Sequence, residues 1–177
     1  MGSFASRVCT AAALAALTAC TPALDWRELT PEGADVVAMF PCSPNHHERA
    51  LRLAAHAGSQ LSMQMLVCSA DDATYAIGYV DVADPAQVGP VLAELREAAL
   101  RNIDAAQPVF AAASVPGMTP HPEAVRAAFS GRLPDGRTMR ERALYFAKGM
   151  RAYQASVIGA QPSDEAVETF FAGLRLP

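Results

Sequence analysis

The sequence predicts an α+β sandwich: a mostly antiparallel sheet of about six or seven strands with two helices packed on it. Three features point there. Apolar side chains alternate with polar or small ones along Leu61–Val67 and Ala73–Val82, the two-residue period of a strand that buries one face. The period lengthens to that of a helix between Gly89 and Ile103, and again after Ser163. Links between successive strands are too short for a crossover, so strands adjacent in sequence must pair antiparallel.

Taken in order, Gly33 to Phe40 leads into Pro41-Cys42-Ser43-Pro44 and reads as a short first strand stopped by proline, which cannot donate to a ladder. Leu51 and Leu53 against Arg52 mark a second strand, and Leu61, Met63, Met65 and Val67 against Ser62 and Gln64 a third. Asp71-Asp72 turns the chain into a fourth, where Tyr75, Ile77 and Tyr79 alternate with small residues. Val88, Leu92, Leu95, Ala99 and Ile103 then share one helical face. Proline belongs in a first turn, so Pro90 puts the regular helix near Gly89, with residues 84–88 as a separate turn. Gln107 to Val115 reads as extended chain. Glu123–Leu133, Thr138–Ala147 and Met150–Ile158 form a meander, its first hairpin announced by Asp135-Gly136, because such turns need positive φ. Ser163 is an N-cap, Asp164 and Glu165 occupy the first turn where the helix dipole favours acid, and Val167, Phe170, Phe171 and Leu174 give the closing helix its apolar side. The expected core is Phe40, Leu61, Met63, Met65, Ile77 and Leu92, with Leu95, Phe129, Phe146, Phe170 and Phe171.

Ahead of the domain lies an address. Met1 to Ala19 carries one cation, Arg7, and then twelve uncharged residues, Val8 to Ala19. A bilayer-spanning helix needs about twenty apolar residues, so this run has the length of a signal-peptide core and predicts a helix over residues 1–19 that is cleaved off. Leu17-Thr18-Ala19-Cys20 resembles the lipobox of bacterial lipoproteins, in which the chain is cut before the cysteine and acyl chains are attached to it. The resemblance implies lipidation at Cys20, a lipidated tether over residues 20–32 and a single domain over 33–177. The partner it implies is the membrane, reached through the N-terminal lipid. Several acyl chains, at about 0.8 kcal/mol per buried CH₂, anchor a protein far more firmly than one. Thr21 stands where an Asp retains many such lipoproteins in the inner membrane, which implies an outer-membrane location facing the periplasm.

Hydrophobic residues make up 51% of the 177, but 37 of the residues are alanine, so the core rests on a short list of large side chains. The length suits one domain with a real core. A net charge of −4 leaves no basic footprint for phosphates and excludes nucleic acid as a partner. With Cys9 cleaved away and Cys20 lipidated, Cys42 and Cys68 remain as a pair in an oxidising compartment, which predicts a disulfide. The competing reading is a thiolate metal site, because Asn45-His46-His47-Glu48 follows Cys42 closely.

Neither a Gly-x-Ser-x-Gly elbow nor a Gly-rich phosphate loop occurs, and the sequence indicates no catalytic residue and no cofactor. Cys42, His46, His47 and Glu48 come nearest to a metal constellation. A zinc or copper site needs three or four convergent ligands, however, and adjacent histidines on extended chain point to opposite faces. The segment therefore reads as a polar loop after the disulfide. His56 reads as a strand-face residue, and His121, between two prolines, as a surface loop. The meander is basic: Arg126, Arg140, Arg142 and Arg151 form either an anion patch for a charged envelope component or the polar outer face of a one-sided sheet. Tyr75, Tyr79, Tyr145 and Tyr153 lie on strands and read as core, with the lining of a groove as the alternative.

The element order, with Phe40-Pro41 closing the first strand and Phe170-Phe171 in the last helix, resembles the PsbP-like small α/β/α domains of exported proteins. Met39-Phe40-Pro41-Cys42-Ser43-Pro44, the later Cys68 and Tyr153-Gln154-Ala155 look like a group of uncharacterised proteobacterial lipoproteins. These resemblances imply an architecture and a location, not an activity. The expected function is a noncatalytic binding or interaction domain on the cell envelope, whose partner is an envelope protein or a small ligand. The alternative is a metal-binding or enzymatic domain working through residues 42–48.

Overall fold

The computed structural model describes residues 24–51 and 61–177, so the readings on residues 1–19, Cys20, Thr21, Leu53 and His56 lie outside it. The described chain runs β1 (Arg27–Leu29), β2 (Ala38–Phe40), β3 (Asn45–Leu51), β4 (Leu61–Ala70), β5 (Ala73–Asp81), α1 (Val88–Asn102), β6 (Ala106–Ala112), β7 (Val125–Arg132), β8 (Thr138–Lys148), β9 (Arg151–Gly159) and α2 (Asp164–Ala172). Seven strands form one antiparallel sheet in the order β3-β4-β5-β9-β8-β7-β6, and β1 pairs with β2 in a separate ribbon. This is the α+β architecture the sequence predicts.

Two meanders zip together at the centre, where β5 and β9 run in register from Ala73 opposite Gly159 to Asp81 opposite Arg151. The turns are where their chemistry puts them. Asp71 and Asp72 both take positive φ, 50° and 56°, which short polar side chains tolerate, and Gly136 sits at φ 86° in the second meander. A 3₁₀ turn at Pro85–Gln87, capped by the Asp84 side chain, precedes α1 as the separate turn expected there. Ser163 caps α2 by accepting from the Ala166 N–H at 3.4 Å. Ser163→Ala is expected to cost about 1 kcal/mol, read as a lowered urea midpoint with an unchanged slope.

Alternation along the strands sorts the side chains into two buried layers rather than one. Cys68, Tyr75, Ile77, Phe146 and Tyr153 point to the face covered by the β1–β2 ribbon and α2. Met63, Val80, Tyr145 and Ala152 point to the face covered by α1 through Leu92, Leu95 and Ile103. Rings dominate the first layer: Phe170 meets Phe40 and Tyr75 edge-on, with centroids at 5.3 and 5.5 Å, and Phe146 stacks on Tyr153 at 5.1 Å. All four tyrosines are buried. The Tyr153 hydroxyl donates to the Ala34 carbonyl at 3.0 Å, and burial raises its pKa to about 12.

Three expectations need correcting. The stretch read as a tether supplies β1, and Leu24, Trp26 and Leu29 pack against the core, so the folded unit starts before residue 33. The segment read as a polar loop is strand β3, paired along β4 from Asn45 opposite Val67 to Leu51 opposite Leu61. As an edge strand it is exposed at every position but Leu51, which is why it lacks an apolar period. The second face of the meander is solvated only in part, around Arg126, Arg140 and Arg142, because Leu144, Phe146, Tyr153 and Val157 on that face are buried under the β1–β2 ribbon and α2. Among the described residues no helix is long and apolar enough to cross a membrane.

Candidate functional site

One helix about 10 Å across cannot cover a seven-stranded sheet roughly 29 Å wide. Among the described residues, helix α1 lies over β8 and β9 and leaves the same face of β3, β4 and β5 partly open. Residue size deepens the gap. The large residues of β5, Tyr75, Ile77 and Tyr79, all face α2, whereas Thr74, Ala76 and Gly78 face the α1 side. Gly78 leaves space that the Met63 side chain enters: a Cβ built there would lie 2.0 Å from Met63 Cε. Ala98 and Ala99 of α1 and Ser156 of β9 are similarly small.

The result is a cleft of about 280 Å³ with mainly apolar walls, among them Leu51, Met63, Met65, Leu95 and Ile158. Leu61 and Met65, expected in the core, are only half-buried, and Met65 lines this cleft instead. Polar atoms enter from Thr74, Asn102, Gln154 and Ser156, and Arg49 stands on the exposed edge strand.

Glu141 is the residue that sets the chemistry. It sits on β8 in the row Met139, Glu141, Ala143, Tyr145, all facing α1, and only 5% of it is exposed. Burial alone pushes its carboxyl from the ordinary 4.5 to about 7. No described side chain donates to it or pairs with it; its presence also helps raise the pKa of Tyr145, for which burial is the larger cause. A carboxyl this close to half-ionised at neutral pH, lining a cleft, is the one polar group here whose state an occupant would change. Sequence reasoning passed over it as one more charge in a basic meander. The available signal was its phase, in step with Ala143 and Tyr145 on the buried side of the strand.

The residues singled out from sequence sort differently. Cys42 and Cys68 form the predicted disulfide, with Cα atoms 6.0 Å apart. With Cys42 bonded to sulfur, it is not a thiolate ligand. His46 and His47 follow each other on β3, so they point to opposite faces, and Glu48 accepts from the Ser62 hydroxyl at 2.6 Å. Among the described residues no three His, Cys, Asp or Glu side chains converge on one point. His121 is half-buried against Gly89, with Nδ1 accepting from the Glu123 N–H at 3.0 Å.

The four arginines of the anion patch share the α2 face of the sheet, but carboxylates already engage three of them. Arg126 pairs with Glu168 of α2 and lies over the Phe171 ring at 5.2 Å. Arg142 is 3.9 Å from Asp164, and Arg140 is exposed two residues away on β8. At the far end of the sheet Arg151 forms a two-pronged pair with Asp81, at 2.6 and 2.8 Å, reaches Asp35 at 3.0 Å and the Gly33 carbonyl at 2.7 Å, and covers the Tyr79 ring. Its hydrogen bonds to Asp81 raise its pKa further. Arg151 thus clamps the ribbon connection to the sheet.

The class this defines is an antiparallel α+β sandwich with a disulfide on one face and an open apolar cleft on the other. In comparison with known proteins, the chain matches no family model and no curated protein.

Proposed function

We propose that this chain is a membrane-anchored cell-envelope lipoprotein whose sandwich is a noncatalytic binding domain, and that the cleft beside α1 takes a small, largely apolar ligand. The observation that carries the binding half is the cleft itself, with mainly apolar walls and, among the described residues, an unpartnered carboxyl in one of them. The anchoring half rests on Leu17-Thr18-Ala19-Cys20 at the end of a signal-like run, with Thr21 favouring the outer membrane and a periplasm-facing domain. The Cys42–Cys68 bond suits such an oxidising compartment.

Each half has its own test. Expressed in a Gram-negative host, the wild-type chain is expected to incorporate a palmitate analogue and to sediment with membranes, and Cys20→Ala to lose the label. A Cys20→Ala chain that still carries label overturns the anchoring. For the cleft, hexanol added to the full chain is expected to shift the methyl NMR signals of Met63 and Met65 before those of Met118, which packs on the α2 side. Shifts of equal size at all three overturn the binding site.

A further inference from the structure

We propose that the ligand of this cleft is a cationic amphiphile, a hydrocarbon body bearing an amine, seated with its amine against the Glu141 carboxylate. The inference rests on the binding reading above and names the ligand class. Burying a charge is costly unless it is paired, so a residue 95% buried, whose carboxyl lines the cleft with no partner among the described residues, is a half-made ion pair. Three headgroup types can complete it. An anion would set like charge against Glu141. A neutral hydroxyl brings no charge to balance the carboxylate and leaves its raised pKa in place. Only a cation makes the ionised form the favoured one and adds a charge-assisted hydrogen bond.

Orientation follows from the charges around the cleft. Arg49 on β3 lies four strands from Glu141, and its guanidinium repels an ammonium at that end. Of the elements packed about Glu141, β9 presents Gln154 and Ser156, β5 presents Thr74, and α1 presents Asn102 to the cleft, none of which titrates near neutrality. Tyr145 shares the Glu141 row on β8, and Arg96 of α1 acts on that same tyrosine. The ligand's hydrocarbon lies along Met63, Met65 and Leu95, where flexible thioethers adapt to chains of different shape.

The test uses hexylamine, hexanol and hexanoate with the full chain, following the Met63 and Met65 methyl signals at pH 6 and pH 8. Hexylamine is expected to bind at least about tenfold more tightly than hexanol at pH 8. That preference should weaken by up to about tenfold per pH unit below pH 7, because the carboxyl must give up its proton to pair. Glu141→Gln should abolish the preference and its pH dependence while leaving hexanol binding intact. As a reading independent of any variant, the Glu141 carboxyl carbon resonance should titrate at lower pH once hexylamine is bound. Equal binding of hexylamine and hexanol, stronger binding of hexanoate, or a preference that survives Glu141→Gln overturns the amine and leaves the cleft standing. Silence of the methionine methyls toward all three probes overturns the cleft and the amine together.

Discussion

A chain with both Cys42→Ala and Cys68→Ala is expected to be about 3.5 kcal/mol less stable than the oxidised protein, and to melt about 7–14 °C lower. The bond joins residues 26 apart in sequence, and holding those ends together removes loop-closure entropy from the unfolded chain. Its position adds to the effect. Cys42 follows β2, and Cys68 lies in β4 beside Tyr75, so the bond holds the ribbon against the ring layer of the sheet. Trp26, the one tryptophan, packs edge-on against Tyr75 at 6.0 Å and reports on that junction. Urea titrations followed by Trp26 fluorescence, with and without a reductant, measure the difference. A midpoint that does not move on reduction sinks the prediction.

What the sequence made legible is what burial writes into it. β4, β5, β8, β9 and both helices bury one face or two, so their apolar residues repeat with the period of the element, and their boundaries come out within a few residues. β3 and β6 are edges exposed along nearly their whole length, so His46, His47 and Glu48, like Val109 and Phe110, carry no periodic signal. β1 is a three-residue strand that exists because β2 lies beside it, a fact no local pattern records. The cleft was half visible. Small residues alternating with Tyr75, Ile77 and Tyr79 are plain in the chain, but they become a cavity only once α1 settles over β8 and β9 and leaves β5 beside it. Arg126 and Arg151 read as a patch for the complementary reason: Glu168 is 42 residues from Arg126, and Asp81 is 70 from Arg151.

Stability should fall as pH rises through neutrality, and most of that slope should vanish in Glu141→Gln. The carboxyl titrates near 7 in the folded protein against 4.5 ordinarily, so the native state holds its proton more tightly than the unfolded chain does. A raised folded-state pKa gives stability that is complete below the unfolded value and lost as pH climbs through the folded one. The gap corresponds to about 3 kcal/mol, most of which falls between pH 5 and pH 8. The informative quantity is the difference between wild type and variant at the two pH values. Urea midpoints at pH 5 and pH 8 for both proteins supply it, and parallel pH dependences would sink the prediction. The sign is also what ties stability to binding: at pH 8 the empty protein carries an uncompensated charge in an apolar cleft, and any ligand that supplies the missing cation recovers part of that loss. Hexylamine should therefore raise the urea midpoint at pH 8 more than at pH 5, and should do so in the wild type only.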